Sequence, residues 1–102
     1  MREVHHFIGG KAVAGKSGRF SDIYNPNTGE VQARVALATA AELAAAVDAA
    51  KAALPAWAST NPQRRARVMF EFKRLVEANM NELAHLLSSE HGKVIADSKG
   101  DI

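Results

Sequence analysis

The hydrophobic period changes at Thr39, and that change limits the folds open to this chain. Before it, Val31, Ala33, Val35 and Leu37 alternate with Gln32, Arg34 and Ala36. A period of two predicts a half-buried strand, because successive side chains point to opposite faces. After it, Thr39-Ala40-Ala41-Glu42 has capping-box spacing: the threonine oxygen can accept a backbone N–H while the glutamate reaches back to the threonine N–H. Leu43, Val47, Ala50 and Leu54 then recur at helical spacing. The chain therefore reads as strands first and helices afterwards.

Each half carries its own punctuation. Phe7-Ile8 and Ala12-Val13 flank Gly9-Gly10, a pair suited to the positive φ of a hairpin turn. Residues 15–18 are a second break, and residues 19–24 can run extended into Asn25-Pro26-Asn27-Thr28-Gly29, where a turn is predicted. Downstream, Pro55 is expected to close the first helix, leaving Trp57 in a linker. Asn61-Pro62 opens a second helix, with Val68, Phe72, Leu75 and Val76 as its apolar stripe and Arg67/Glu71 and Lys73/Glu77 as supporting pairs. A bend is expected at residues 79–81. A third helix carries Leu83, Leu86 and Leu87 and ends at His91-Gly92. Residues 94–102 begin a fourth, with no capping glycine after it, so that element reads as unfinished. Trp57, Phe70 and Phe72 are assigned to the core. Glu90, seven residues after Leu83, is expected to be exposed or paired.

Composition narrows the function. A chain of 102 residues has room for one small domain. The formal charge of +2 points to neither nucleic acid nor a membrane surface, and no apolar run approaches the ~20 residues of a membrane span. The default is a soluble, cytoplasmic chain. With no cysteine there is no disulfide, thiolate metal site or thiol nucleophile.

One stretch spells a phosphate-binding loop. Gly10-Lys11-Ala12-Val13-Ala14-Gly15-Lys16-Ser17 fits G-x-x-x-x-G-K-[ST]. Such a loop needs a helix N-terminus behind it, and here Gly18, an extended stretch and Asn-Pro follow instead. Nucleotide binding is set aside on that context. His5 and His6 are expected on opposite faces of an extended stretch, and His85 and His91 are wrongly spaced for one metal on a helix. The basic side of the second helix (Arg64, Arg65, Arg67, Lys73, Arg74) is interrupted by Glu71 and Glu77 and reads as a solvated face.

His6-Phe7-Ile8-Gly9-Gly10-Lys11 followed by Asn25-Pro26-Asn27-Thr28-Gly29-Glu30-Val31 resembles the opening of an aldehyde dehydrogenase. Ala49-Ala50-Lys51, Pro55-Ala56-Trp57 and Glu90-His91-Gly92-Lys93 are similar too. Asn61-Pro62-Gln63-Arg64-Arg65-Ala66-Arg67-Val68 and Ser88-Ser89-Glu90-His91-Gly92-Lys93 resemble, more narrowly, the CoA-acylating methylmalonate-semialdehyde dehydrogenases. The resemblance implies an α/β fold: short strands and hairpins, then three to four helices, forming residues 1–102 of the N-terminal part of a Rossmann-like NAD-binding domain. It implies NAD and CoA as cofactors, a small aldehyde as substrate, and the rest of the enzyme and sister subunits of a homo-oligomer as partners. The family's cysteine, oxyanion amide and glycine-bearing coenzyme loop match no position here and are expected beyond Ile102. No catalytic, cofactor-binding or metal residue is therefore assigned to this chain, which is expected to be inactive alone. A free-standing helical interaction module is the alternative.

Overall fold

A computed structural model describes all of residues 1–102. Five strands precede four helices: β1 (Arg2–Val4), β2 (His6–Ile8), β3 (Lys11–Val13), β4 (Phe20–Asn25), β5 (Glu30–Ala36), α1 (Ala40–Ser59), α2 (Pro62–Ala78), α3 (Met80–His91) and α4 (Ile95–Asp101). The residues divide into two compact units, one of Met1–Ile23 with Val31–Ser59, the other of Tyr24–Glu30 with Thr60–Ile102.

In the first unit β2 and β3 form an antiparallel hairpin whose turn residues, Gly9 and Gly10, have φ of 61° and 78°. Two consecutive positive φ values give the primed turn whose twist matches that of the strands. A separate sheet has the order β1-β5-β4. β1 is a strand that the sequence pattern did not reveal. It lies parallel to β5, with Arg2 opposite Ala33, Glu3 opposite Arg34 and Val4 opposite Val35. Its register is held by charge: the Arg34 guanidinium donates to the Glu3 carboxylate and stacks over the Phe20 ring, 4.3 Å from its centre. Hydrogen bonding from Arg34 holds the Glu3 carboxyl below its ordinary range.

The inward face of β5 differs from the expected one. Ala33 is fully buried, but Ala36 is buried as well and Leu37 is exposed. Ala36 is covered by the loop before β4, where a Cβ added at Gly15 would lie 2.7 Å from the Ala36 Cβ. Two small residues permit that approach, and the strict alternation ends there.

α1 begins at the expected box: Thr39 Oγ1 accepts from the Glu42 N–H at 3.1 Å, and Glu42 Oε2 accepts from the Thr39 N–H at 2.8 Å. It does not end at Pro55. The helix passes through the proline to Ser59 and carries Trp57 with it. An interior proline costs about 3 kcal/mol, yet Ala52, Ala53, Ala56 and Ala58 around it are the strongest helix formers and lose no side-chain entropy.

In the second unit Asn61 caps α2, its Oδ1 accepting from the Gln63 N–H at 2.8 Å, with Pro62 at the first helical position. Asn79 alone separates α2 from α3. α3 packs on α4 through small residues: Ala84 and Ser98 are fully enclosed, and the Ser88 and Ser98 hydroxyls share a 2.7 Å hydrogen bond. That bond gives each of the two hydroxyls a partner. Glu90 is exposed at the end of α3.

Neither α1 nor α2 contains a buried residue. Trp57, Phe70 and Phe72, assigned above to the core, are 43%, 70% and 59% exposed, because no element of this chain packs on those faces. Leu43, Leu54, Val68 and Leu75 are exposed too. Each such side chain forgoes roughly 1.5–3 kcal/mol of burial, against a total domain stability of about 5–15 kcal/mol. Residues 1–102 in isolation are therefore expected to associate through these helix faces. Sedimentation equilibrium checks this: concentration-dependent association is the expected outcome, and a concentration-independent monomer of 10.9 kDa contradicts it.

Candidate functional site

The segment spelled like a phosphate loop has none of a phosphate loop's geometry. Gly10 belongs to the hairpin turn, Lys11–Val13 is strand β3, and the chain after Ser17 leads into β4. The donors that such a loop offers to phosphate are already given to the chain itself. The Lys16 N–H donates to Glu42 Oε1 at 2.7 Å, and the Gly15 N–H donates to His5 Nδ1 at 3.2 Å. Ser17 Oγ accepts from the Arg19 N–H at 3.0 Å and donates to the Leu37 carbonyl. The Arg19 guanidinium reaches the Ala38 carbonyl at 3.0 Å. A carboxylate from the start of α1 thus occupies the place of an anion, and the loop fastens strand to helix.

Glu42 is the centre of this joint. One carboxylate oxygen caps its own helix through Thr39 and the other takes the Lys16 N–H. These bonds, Thr39 first and Lys16 second, hold its carboxyl below the ordinary range. Stability gained this way is fully present above the unfolded glutamate pKa, about 4.3, and is lost as pH falls through the lower folded value. His6 Nε2 is shut off from solvent 3.8 Å from Glu42 Oε1, without a hydrogen-bond partner.

The two histidines do not face apart as expected. A Cβ at Gly15 would lie 3.2 Å from His6 Nε2 and 3.8 Å from His5 Nδ1, so both rings reach the same glycine. His5 falls between β1 and β2, which belong to different sheets, and the alternation within one strand does not apply across that junction. Since His5 Nδ1 accepts from Gly15, the neutral ring carries its proton on Nε2, 3.3 Å from Glu3 Oε2.

A second joint ties the Asn-Pro-Asn-Thr-Gly turn to the end of α3. The Asn25 carbonyl accepts from Thr28 and Gly29, while Asn25 Oδ1 accepts from the Asn27 N–H at 2.9 Å. Asn27 Nδ2 then donates to the Ser88 carbonyl at 3.0 Å, and the Gly92 N–H donates to the same oxygen at 2.9 Å. Gly92 is required twice over. Its φ is 89°, and an added Cβ would sit 3.2 Å from Pro26 Cγ.

These arrangements fasten one stretch of backbone to another. The Ser88 and Ser98 hydroxyls bond each other and the Ser17 hydroxyl bonds a carbonyl, so none is aimed at a base that could take its proton. No group of three His, Cys, Asp or Glu is placed to hold a metal ion. His85 Nδ1 lies 2.7 Å from the Asn81 carbonyl of its own helix. On α2, Lys73 pairs with Glu77, but Glu71 pairs with Arg74 and not with Arg67. An acidic residue one turn N-terminal to its base is the better-oriented pair. No helix is long and apolar enough to cross a membrane.

Comparison with known proteins accounts for a chain made of joints. Residues 12–102 match the model of the aldehyde dehydrogenase family, and the chain belongs to that family. Within it, the similarity is to semialdehyde dehydrogenases. The malonate-semialdehyde dehydrogenase of Pseudomonas aeruginosa is 45% identical over the whole of this chain and 20% of its own length. The human mitochondrial acylating methylmalonate-semialdehyde/malonate-semialdehyde dehydrogenase is 46% identical over 97% of this chain and 18% of its own. Among solved structures, a Sinorhizobium meliloti protein assigned as a methylmalonate-semialdehyde dehydrogenase and crystallised with NAD is 67% identical with a TM-score of 0.95, covering all of this chain and 21% of that one. The chain thus spans about a fifth of the length of the relatives it matches.

The joint at Gly92 gives a direct check. Gly92→Ala is expected to lower stability by about 1–3 kcal/mol, from the left-handed backbone and the Pro26 contact together. Urea unfolding measures it, and an unchanged midpoint contradicts the assigned role.

Proposed function

We propose that residues 1–102 are the N-terminal part of the NAD-binding domain of a CoA-acylating malonate- or methylmalonate-semialdehyde dehydrogenase. In the intact enzyme an aldehyde is oxidised to an acyl-CoA, with NAD accepting the hydride and CoA the acyl group. The observation that carries this reading is the 67% identity and TM-score of 0.95 to the Sinorhizobium meliloti structure across the whole chain. The acylating names of the human and Arabidopsis thaliana relatives, each 46% identical, support the CoA step.

In this reading the chain holds no catalytic, coenzyme-binding or metal residue. Its two hydrogen-bonded joints set the course of a backbone that other parts of the enzyme complete. The enzyme is cytoplasmic and a homo-oligomer, with no role in nucleic-acid binding. A free-standing interaction module is not favoured, since the exposed faces of α1 and α2 are what a part of a larger protein would present.

The test is enzymatic. The polypeptide containing residues 1–102, expressed at its full length, is expected to reduce NAD with methylmalonate or malonate semialdehyde and to form acyl-CoA only when CoA is present. Residues 1–102 alone are expected to give no NADH above the protein-free rate. Activity of the isolated residues, or CoA-independent release of the free acid by the full polypeptide, contradicts the proposal.

A further inference from the structure

Two histidines stand side by side at Gly15, and their ring nitrogens have opposite needs. His5 Nδ1 accepts the Gly15 N–H at 3.2 Å, so a proton placed on that nitrogen breaks an existing bond. His6 Nε2 has no hydrogen-bond partner and is closed to solvent, although the side chain keeps 16% of its surface open. It lies 3.8 Å from Glu42 Oε1, the oxygen that takes the Lys16 N–H. Two lone pairs would repel at that approach, so His6 Nε2 carries a hydrogen and its Nδ1 is left to bind a further proton. At 3.8 Å the neutral ring makes no hydrogen bond. A charge on the ring, however, acts on a carboxylate that is only 12% exposed and therefore weakly screened.

We propose that His6 is a proton-operated clasp on the Glu42 joint: a proton taken from solvent at Nδ1 turns the ring into an imidazolium whose Nε2–H draws in the Glu42 carboxylate. The charged groups around the ring single out this pair. From α1 the group facing His6 is Glu42, and the loop after β3 brings Lys16 and Arg19. Lys11 of β3 lines the same cleft as Lys16 and Glu42. Glu3 of β1 is already engaged by Arg34 of β5 and lies beside His5. Lysine and arginine side chains do not change charge between pH 5 and 8, and His5 is held neutral by its bond from Gly15. After the N–H bonds from Thr39 and Lys16, the charge of His6 is a further cause that holds the Glu42 carboxyl below its ordinary range. The attraction needs both charges. It is therefore present between the ordinary glutamate and histidine values, about 4.3 and 6.5, and is lost as pH rises above that window. The joint is firmest in weak acid, before Glu42 itself is protonated.

Hydrogen exchange of the full-length polypeptide tests this at pH 5 and pH 8, read by mass spectrometry on peptides containing the Lys16 N–H and corrected for intrinsic exchange. Wild type is compared with His6→Gln, which keeps a donor at the Nε2 position but cannot take a charge. Protection of Lys16 in His6→Gln is expected to fall short of wild type by about two- to fivefold at pH 5, the scale of a partly screened ion pair, and to match it at pH 8. Within wild type alone, Lys16 is expected to be better protected at pH 5 than at pH 8, a readout that needs no variant. A His6→Gln deficit of equal size at both pH values, or wild-type protection that is flat or falls toward pH 5, overturns the proposal. So does a pH-dependent effect of His6→Gln that survives in a Glu42→Gln background, because the carboxylate is then not the partner.

Discussion

The carboxylate of Glu42 binds the strand half of the first unit to its helical half. One oxygen closes the N-terminus of α1 on Thr39, and the other takes the Lys16 N–H from the loop between β3 and β4. The contacts of the loop between β3 and β4 gather around this one. With Lys16 fixed, Gly15 is pressed against Ala36, His5 receives the Gly15 N–H, and Ser17 is held to Leu37. A carboxylate bonded by two backbone N–H groups is stabilised in its charged form, which is why its titration is displaced downward. The same displacement makes the joint sensitive to acid.

The second unit repeats the logic with neutral groups. The Ser88 carbonyl in the last turn of α3 accepts from the Gly92 N–H and, as a second donor, from the Asn27 side chain. A carbonyl oxygen has two lone pairs and can accept a second donor besides the helix's own N–H. Here a turn distant in sequence supplies it. Two of the stretches that resemble an aldehyde dehydrogenase, Asn25-Pro26-Asn27-Thr28-Gly29 and Glu90-His91-Gly92-Lys93, are the two sides of this joint. Their likeness to the family falls on residues that fix the backbone.

Local signals were legible and long-range ones were not. Gly9-Gly10, Thr39/Glu42, Asn61-Pro62 and His91-Gly92 announce a turn, two helix starts and a helix end, because each acts on backbone within a few residues. β1 was invisible, since Arg2-Glu3-Val4 has no apolar alternation and its pairing rests on Arg34, far along the chain. Pro55 was misread: the helix continues through it to Ser59, in a stretch where Ala52, Ala53, Ala56 and Ala58 offset part of its local penalty. The capping role of Glu42 was readable from four residues, but its bond to Lys16 joins positions 26 apart and leaves no periodic trace. The aromatic residues of α1 and α2 were assigned inward from their hydrophobicity alone, which says that a side chain needs cover and not which element provides it. The expectation that no catalytic group lies in residues 1–102 rested on the missing cysteine and on family likeness.

The first unit depends on the joint that the charged Glu42 carboxylate makes between α1 and the loop after β3. Urea unfolding of the wild-type chain and of Glu42→Gln, each at pH 7 and near pH 3.5, tests it directly. Gln can still occupy the site, but it cannot carry the charge that both N–H groups stabilise. The variant is predicted to be less stable than wild type at pH 7, with the difference shrinking as pH falls below the ordinary glutamate value of about 4.3. A difference that is the same at both pH values, or no difference at pH 7, would contradict the account.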